Sequence, residues 1–331
     1  NWENRINEFK KIVSKYKKNE IFDCIVPVSG GKDGSYVSYT MKQKFGLNPL
    51  CVTVRPPLTL DIGNKNLSNF VRSGYDHIHI TPNENVMKII NKEGFINMGF
   101  PYYGWLISIY SAIIKTSYNF DIPLIIYGEN GEIEYGGSSD HKNVPIFGID
   151  YLIKSFLEKG YVKVIESLKL KKEDLYWFEL PDLKKLKLTN IAMTHWSYFE
   201  NWDPYKNYIV AKENCGLQES TVSNSSTFTN FAQTDQALYA LHMYLCYLKF
   251  GFGRATQDAG IEIRRGSMTR DQAINLVKMY DGIYPEEFID TYLKYFNINK
   301  NEFDNILDKW VNKNIFHKKE DLWEPKIDLF K

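Results

Sequence analysis

Five short apolar runs, each separated from the next by a segment long enough for a helix, restrict this chain to a small set of folds. The runs are 21–28 (IFDCIVPV), 49–54 (PLCVTV), 76–80 (DHIHI), 122–127 (IPLIIY) and 189–194 (TNIAMT). Their apolar positions are continuous rather than alternating, the pattern of strands covered on both faces. The segments between them, roughly 35–45, 61–73, 83–93 and 105–119, have helical spacing, and Gly46, Gly74 and Gly94 stand where helix ends favour glycine. Strands joined through helices need right-handed crossovers and hence a largely parallel sheet. The expectation is α/β, a doubly wound, mainly parallel sheet, opened by an amphipathic helix with Trp2, Ile6, Phe9, Ile12, Val13 and Tyr16 on one face.

Between the fourth and fifth runs, residues of about 130–188 exceed an ordinary crossover and read as an insertion. Beyond Trp196 the pattern is helical to the end, with segments expected at 204–214, 231–250, 254–265, 269–281, 286–296 and 302–313. The Lys/Glu-rich stretch 318–325 reads as solvated surface. This divides the chain into residues 1–200, a ligand-binding α/β domain, and 201–331, a helical region contributing to the substrate site.

Lysine plus arginine number 41 and aspartate plus glutamate 40, a formal net charge of +1. That balance argues against a surface built to neutralise nucleic-acid phosphates and leaves a local site for a small anion open. No apolar run approaches the roughly 18 to 20 residues of a membrane span, and no charged-then-apolar leader is present. We therefore expect a soluble, cytoplasmic protein without membrane insertion. Cys24, Cys51, Cys215 and Cys246 are far apart and contain no C-x-x-C pair, so they read as reduced thiols rather than disulfides or a zinc site. Because the sequence starts at Asn1 without an initiator methionine, a preceding N-terminal piece is expected.

The chemistry concentrates in Ser29-Gly30-Gly31-Lys32-Asp33-Gly34-Ser35, between the first apolar run and an amphipathic helix. In an open parallel sheet ligands gather beyond the carboxyl ends of the strands, where glycines let backbone N–H groups approach phosphate at a helix N-terminus. Ser29 and Ser35 offer hydroxyls, Lys32 a cation, and Asp33 a carboxylate able to hold magnesium or cap the helix. Neither G-x-x-x-x-G-K-[ST] nor G-x-G-x-x-G fits. After the fourth run, Gly128-Glu129-Asn130-Gly131-Glu132 brings Glu129, Asn130 and Glu132 to the same sheet edge, where they suit magnesium or a sugar hydroxyl and equally suit an ordinary exposed loop. On a helix from 254, Arg254, Asp258 and Glu262 or Arg265 share a face and Arg264 points away. That face is either a phosphate-binding row or a salt-bridge ladder.

The loop resembles that of the PP-loop ATP pyrophosphatases, the adenine nucleotide alpha-hydrolase-like fold, apart from the extra Gly34 before Ser35. The form S-G-G-K-D-G-S is similar to that of the N-acetyl sugar amidotransferases, which make acetamidino sugars for surface polysaccharides and flagellin glycans. Gly253-Arg254-Ala255-Thr256-x-Asp258, Ile263-Arg264-Arg265-Gly266-x-x-Thr269-Arg270 and Tyr127-Gly128-Glu129-Asn130 extend the resemblance over nearly the whole chain. It implies an ATP- and magnesium-dependent, C–N bond-forming enzyme acting on a nucleotide-linked N-acetyl sugar. ATP would be held by Ser29 to Ser35, by Val54 and Arg55 at the adenine, and by Gly128, Arg254 and Arg265. Lys32, Asp33 and Glu129 would be catalytic, with Asp33 on the metal. Asn130, Glu132, Asp258 and Arg270 would face the substrate.

No glutaminase pattern accompanies these motifs, so the resemblance implies a separate glutaminase subunit and a barrel-type ammonia channel like those of histidine biosynthesis. It also implies zinc through a cysteine-containing N-terminal segment outside this sequence. A tRNA-modifying PP-loop enzyme and a non-catalytic nucleotide-binding subunit remain the alternatives. The aromatic stretch Trp196, Tyr198, Phe199, Trp202 and Tyr205 suits either a sugar floor or core packing. His77 and His79 read as structural, and Cys215 as a small packed side chain.

Overall fold

A computed structural model describes residues 1–18, 20–135, 142–155, 157, 161–182, 186, 190–224, 226–320 and 322–326. The opening helix α1 (Trp2–Tyr16) leads into β1 (Cys24–Pro27), α2 (Lys32–Phe45), β2 (Pro49–Val54), α3 (Asp61–Arg72) and β3 (His77–Ile80). Then follow α4 (Glu84–Met98), α5 (Tyr103–Phe120), β4 (Leu124–Tyr127) and, after the inserted segment, β5 (Ala192–His195). The five strands form one all-parallel sheet in the order β3-β2-β1-β4-β5, an α/β arrangement consistent with the doubly wound expectation.

Period-two alternation explains how β1, β2, β4 and β5 each feed two cores. Ile25, Val52, Val54, Ile125 and Met193 turn to one face, where α4 and α5 cover them with Ile90, Ile107, Ile113 and Ile114. Cys24, Val26, Cys51, Leu124 and Ile126 turn to the other, under Phe9 and Ile12 of α1 and Val37 and Met41 of α2. Burying each such side chain contributes on the order of 1.5 to 3 kcal/mol, so both faces must be covered and the sheet cannot stand alone. Trp196, Phe199 and Trp202 sit in the second core, which resolves the aromatic stretch toward packing for those three.

The order reverses at β1. From there the chain runs to β2 and β3 on one side and returns to β4 and β5 on the other, so the carboxyl ends of β1 and β4 flank the crevice where open α/β sheets collect ligands.

Between β4 and β5 the described part of the insertion holds three short helices, Gly131–Glu134, Ile149–Ser155 and Tyr161–Ser167. Phe147 adds an isolated antiparallel bridge to Met193 on β5. Residues 136–141, 156, 158–160, 183–185 and 187–189, part of the expected insertion and of the fifth run, lie outside the described residues.

The C-terminal region contains the helices Pro204–Cys215, Leu238–Phe250, Arg254–Arg265, Arg270–Tyr280, Ile289–Phe296 and Lys300–Trp310. Leu238, Leu241, Leu245, Tyr292, Phe296 and Phe303 form a third core that takes in Phe95 of α4 and Tyr102 just before α5.

Two expectations are corrected here. Gly94 does not end a helix: α4 runs on to Met98 and is capped by Gly99, φ +61°, with Gly94 buried inside it. The segment expected as a helix over 231–250 is helical only from Leu238. Just ahead of it Gln236 makes an isolated antiparallel bridge to Thr59, between β2 and α3: the Ala237 amide donates to the Leu58 carbonyl (3.0 Å) and the Leu60 amide to the Asp235 carbonyl (3.1 Å). Gln233 has a left-handed backbone, φ +59°, which no helix accommodates. The stretch 318–325 is largely exposed at Lys318, Lys319 and Glu324, as expected, and is ordered as an antiparallel ribbon, Phe316–Lys319 with Leu322–Pro325. Phe316 anchors it in the third core, and Lys318 and the Trp323 indole N–H both reach Asp308, each at 2.7 Å.

Candidate functional site

The loop after β1 turns on Gly30, whose φ is +83°. A Cβ there would lie 2.4 Å from the Leu67 backbone nitrogen of α3, so the position excludes any side chain on two grounds. Helix α2 begins at Lys32 with Gly31 before it and no side-chain cap, which leaves its first N–H groups to a ligand or solvent. Such an end favours anions through the helix dipole as well as its donors.

A cavity of about 160 Å³ opens over this end. Ser29, Gly31, Lys32, Asp33 and Gly34 form one wall, Gly63 and Asn66 of α3 another, and the bent strap Phe231 to Asp235 the third. Gly63 is required where the strap crosses, since a Cβ there would stand 2.6 Å from the Thr234 carbonyl oxygen. Burial pushes the Asp235 carboxyl up to about 6. Ser35 is fully buried, its hydroxyl has no partner, and it stands behind the cavity rather than in its wall.

Asp33 is held from two sides. Lys32 pairs with its Oδ2, and Asn207 Nδ2 donates to its Oδ1 at 3.0 Å. Gly128 lets β4 come close, because a Cβ there would lie 3.3 Å from the Asp33 Cβ and from Trp202. Next to it, Glu129 is raised above the ordinary carboxylate range, first by burial and then by repulsion from Asp33, with Lys32 and Arg254 opposing. A buried carboxylate facing a second one favours a proton or a cation beside it. This donor set fits magnesium, which takes one or two carboxylates and completes its shell with phosphate and water. Among the described residues no group of three or more His, Cys, Asp and Glu is arranged to hold a metal unaided.

From Glu129 a hydrogen-bonded chain runs into the C-terminal helices. The Tyr135 hydroxyl donates to Glu129 Oε1 (3.2 Å) and accepts from Arg254 (3.0 Å). Arg254 is buried, its remaining nitrogens given to Asp258 Oδ1 (2.8 Å) and the Tyr239 hydroxyl (3.2 Å). Thr227 donates to the other Asp258 oxygen at 2.6 Å. Arg265 pairs with Glu262 (2.7 Å) and with Asp203 (2.5 Å), the N-cap of the Pro204–Cys215 helix. Arg264, expected to point away, is exposed but donates to the Glu134 carbonyl (2.5 Å), next to the Tyr135 that Arg254 binds.

The other expected site residues are dispersed. The Val54 carbonyl accepts from the Trp105 indole (3.1 Å) and the Arg55 amide donates to the Ile80 carbonyl (2.8 Å). The Arg55 side chain lines a different cavity of about 340 Å³ at the ends of β2 and β3. Asn130 is buried, donates its amide to Ser197 Oγ (3.0 Å), and lines a third cavity of about 200 Å³ with Arg5 and His195. Burial holds His195 down at about 3, hence neutral. Arg270 is exposed at the start of its helix, and the Glu132 side chain lies outside the described residues. Cys215 is buried beside α2 with its thiol raised by burial, as a packed side chain should be.

Sequence reasoning missed Asn207, Tyr135, Asn66 and the strap. Asn207 sits in an ordinary helix and carries no local signal, whereas the polar, small-residue run 220–230 ahead of the strap marked the start of a non-helical segment.

Fold and site together define an α/β protein with an all-parallel sheet and a polar cleft at its switch point, roofed by a helical C-terminal region. Residues 225–328 of that region match the family model described as LPS biosynthesis protein WbpG-like, C-terminal domain, which ties this part of the chain to lipopolysaccharide biosynthesis. No curated protein matches the chain. Among the described residues no helix is long and apolar enough to cross a membrane.

Proposed function

We propose that the chain is an ATP-dependent amidotransferase of the PP-loop type that converts the acetamido group of a nucleotide-linked N-acetyl sugar to an acetamidino group. The observation that carries this reading is the Ser29 to Ser35 loop at the open N-terminus of α2, with Lys32, Asp33 and Glu129 gathered at the switch point of a parallel sheet. The match of residues 225–328 to a lipopolysaccharide-biosynthesis family supports a saccharide acceptor.

An acetamido carbonyl is a weak electrophile with a poor oxygen leaving group, so displacement by ammonia requires prior activation. The amide oxygen attacks the α-phosphorus of ATP, the bond to the bridging oxygen breaks, and pyrophosphate leaves. Ammonia then adds to the imidate carbon, loses a proton, and AMP departs with the former carbonyl oxygen. The exposed N–H groups at the start of α2 and the Lys32 ammonium are preorganised to stabilise charge on the departing pyrophosphate. Glu129, with its proton affinity raised by burial and by Asp33, suits removal of the ammonium-derived proton. Magnesium, held by Asp33 with Glu129 alongside, supplies neutralisation of the phosphate oxygens when bound. Ammonia is supplied by a glutaminase subunit through a barrel-type channel subunit.

The deciding assay measures pyrophosphate from ATP with magnesium, ammonium and a panel of acetamido sugars and their nucleotide conjugates. Sugar-dependent release is expected. Release only with tRNA would assign a tRNA-modifying enzyme, and none under any condition would leave a nucleotide-binding subunit.

A further inference from the structure

Arg254 opens its helix as a buried guanidinium whose three nitrogens all have acceptors within the protein: Asp258 at Nε, the Tyr239 hydroxyl at Nη1 and the Tyr135 hydroxyl at Nη2. The residue is 6% exposed and is not among those lining the phosphate-loop cavity. A guanidinium enclosed and committed in this way does not present its fork to a phosphate. Asp281 fixes where it stands, accepting from the Gly253 and Ala255 amides (2.8 and 2.9 Å) and from the Thr256 hydroxyl (2.5 Å) at the start of the same helix.

At Tyr135 the direction of the hydrogen bonds is determined. Arginine only donates, so the Tyr135 oxygen accepts from Arg254 and its single hydrogen goes to Glu129 Oε1. Burial raises the pKa of the phenol, which therefore keeps that hydrogen. The Arg254 guanidinium carbon also lies 4.4 Å from the centroid of the Tyr135 ring, a second contact holding the side chain. The Tyr135 backbone is tied to the same loop, its amide donating to the Gly131 carbonyl (3.0 Å) just after the Glu134 amide donates to the Asn130 carbonyl (2.9 Å). Glu129 and Tyr135 thus close one short turn, and Arg254 secures it from the C-terminal region.

We propose that Tyr135 is a positioning residue that orients the Glu129 carboxylate for proton removal, and that Arg254 acts by fixing this tyrosine rather than by touching ATP. The inference rests on the proposed amidotransfer for the task of Glu129, and it gives Arg254 a different role from the nucleotide contact that the resemblance implies. The phenol between the two charges matters chemically. A guanidinium bonded directly to the carboxylate would hold it as an ion pair and weaken it as a base, whereas a neutral hydroxyl orients it through one oxygen. The arginine charge is matched instead by Asp258, its ion-pair partner one turn along the helix.

The test joins a kinetic cycle to binding and melting measurements on the full chain. Tyr135→Phe keeps the ring against Arg254 and removes only the hydroxyl. It should lower kcat for amidine formation at least about tenfold while KM for ATP and for the sugar stays within about twofold of the wild type. Tyr135→Phe combined with Glu129→Gln should be no slower than Glu129→Gln alone, because the hydroxyl acts only through that carboxylate; a merely structural loss would multiply the two effects. A fluorescent ATP analogue should bind Tyr135→Phe and Arg254→Met as it binds the wild type. In thermal melts, Tyr135→Phe should lower the midpoint less in a Glu129→Met background than in the wild type, since one of the hydroxyl's two bonds is already gone. Unchanged kcat in Tyr135→Phe, multiplied effects in the double variant, or ATP-analogue binding weakened tenfold in either folded variant would overturn the proposal. So would equal melting shifts in the two backgrounds. The melts and the analogue need neither sugar nor ammonium: a wild type that forms no amidine would refute the amidotransferase reading, and the melts would still decide whether Tyr135 holds Glu129.

Discussion

Asp33 is close enough for its charge to raise the proton affinity of Glu129, yet the two are held differently. Asp33 is pinned by Lys32 and Asn207, whereas Glu129 accepts from the neutral Tyr135 hydroxyl and from its own backbone amide. Their substitutions should therefore diverge. Asp33→Asn is expected to fold normally by circular dichroism and to lose at least about tenfold in pyrophosphate release, since one charge-assisted contact in such a transition state is worth on the order of 2 to 4 kcal/mol. For Glu129 the pH dependence carries the sign. Its folded pKa lies above the unfolded value of about 4.3, so the folded state is favoured with the proton on, and that contribution is lost as pH rises through the raised value. Glu129→Gln should accordingly melt above the wild type near neutral pH, with the gap closing in acid. If Glu129 is the base, activity at constant free ammonia should rise with pH along a limb set by the same raised pKa, and the Gln variant should lack that limb.

Helix α2 illustrates how one element would serve folding and, in the proposed enzyme, ATP binding. Gly30 before it and Gly46 after it share a left-handed backbone, but only Gly30 faces a neighbour: nothing lies within 4 Å of a Cβ at Gly46, while at Gly30 the α3 backbone is 2.4 Å away. Gly46→Ala should cost about 1 to 2 kcal/mol by chemical denaturation and spare ATP binding. Gly30→Ala should cost more and abolish ATP binding, because the loop must move for α3 to be cleared.

The same contrast explains what the sequence disclosed. Strand-length apolar runs with intervening helical periods report burial on two faces, and the observed strands fall inside or within a residue of those runs. The loop was legible because its glycines, lysine and aspartate are consecutive. Asn207 on Asp33 and Tyr135 between Glu129 and Arg254 were not, since each meets its partner across more than a hundred residues or through a side chain ordinary for its position. The strap was misread because Phe231, Ala232 and Ala237 continue the apolar spacing of the helix behind them, while the left-handed Gln233 that ends it is not a glycine.

At the scale of the whole molecule, the sheet supplies the phosphate loop and the C-terminal region closes over it. The strap walls the cavity, Asn207 holds Asp33, and Arg254 reaches Glu129 through Tyr135. In the proposed enzyme, ligand binding at the switch point therefore depends on both regions being in place, although the motifs assigned to activation lie in the first. Neither region supplies a nucleophilic thiol for glutamine: Cys24 and Cys51 are buried in the second core, Cys215 packs beside α2, and Cys246 is raised to about 11 by burial, the opposite of an activated thiolate. The proposed enzyme must then take nitrogen as ammonia. The isolated chain should form amidine and AMP with high ammonium at alkaline pH, where more free ammonia is present, and should form none with glutamine alone. Glutamine use should return when glutaminase and channel subunits are added, because a protected path replaces bulk ammonia with a high local concentration. Cys215→Ser separates the remaining possibility: ammonium-dependent activity should survive, since the thiol only fills space. Loss of activity in a folded Cys215→Ser protein would assign that sulfur a covalent role, and glutamine-dependent turnover by the chain alone would dismiss the division of labour between subunits.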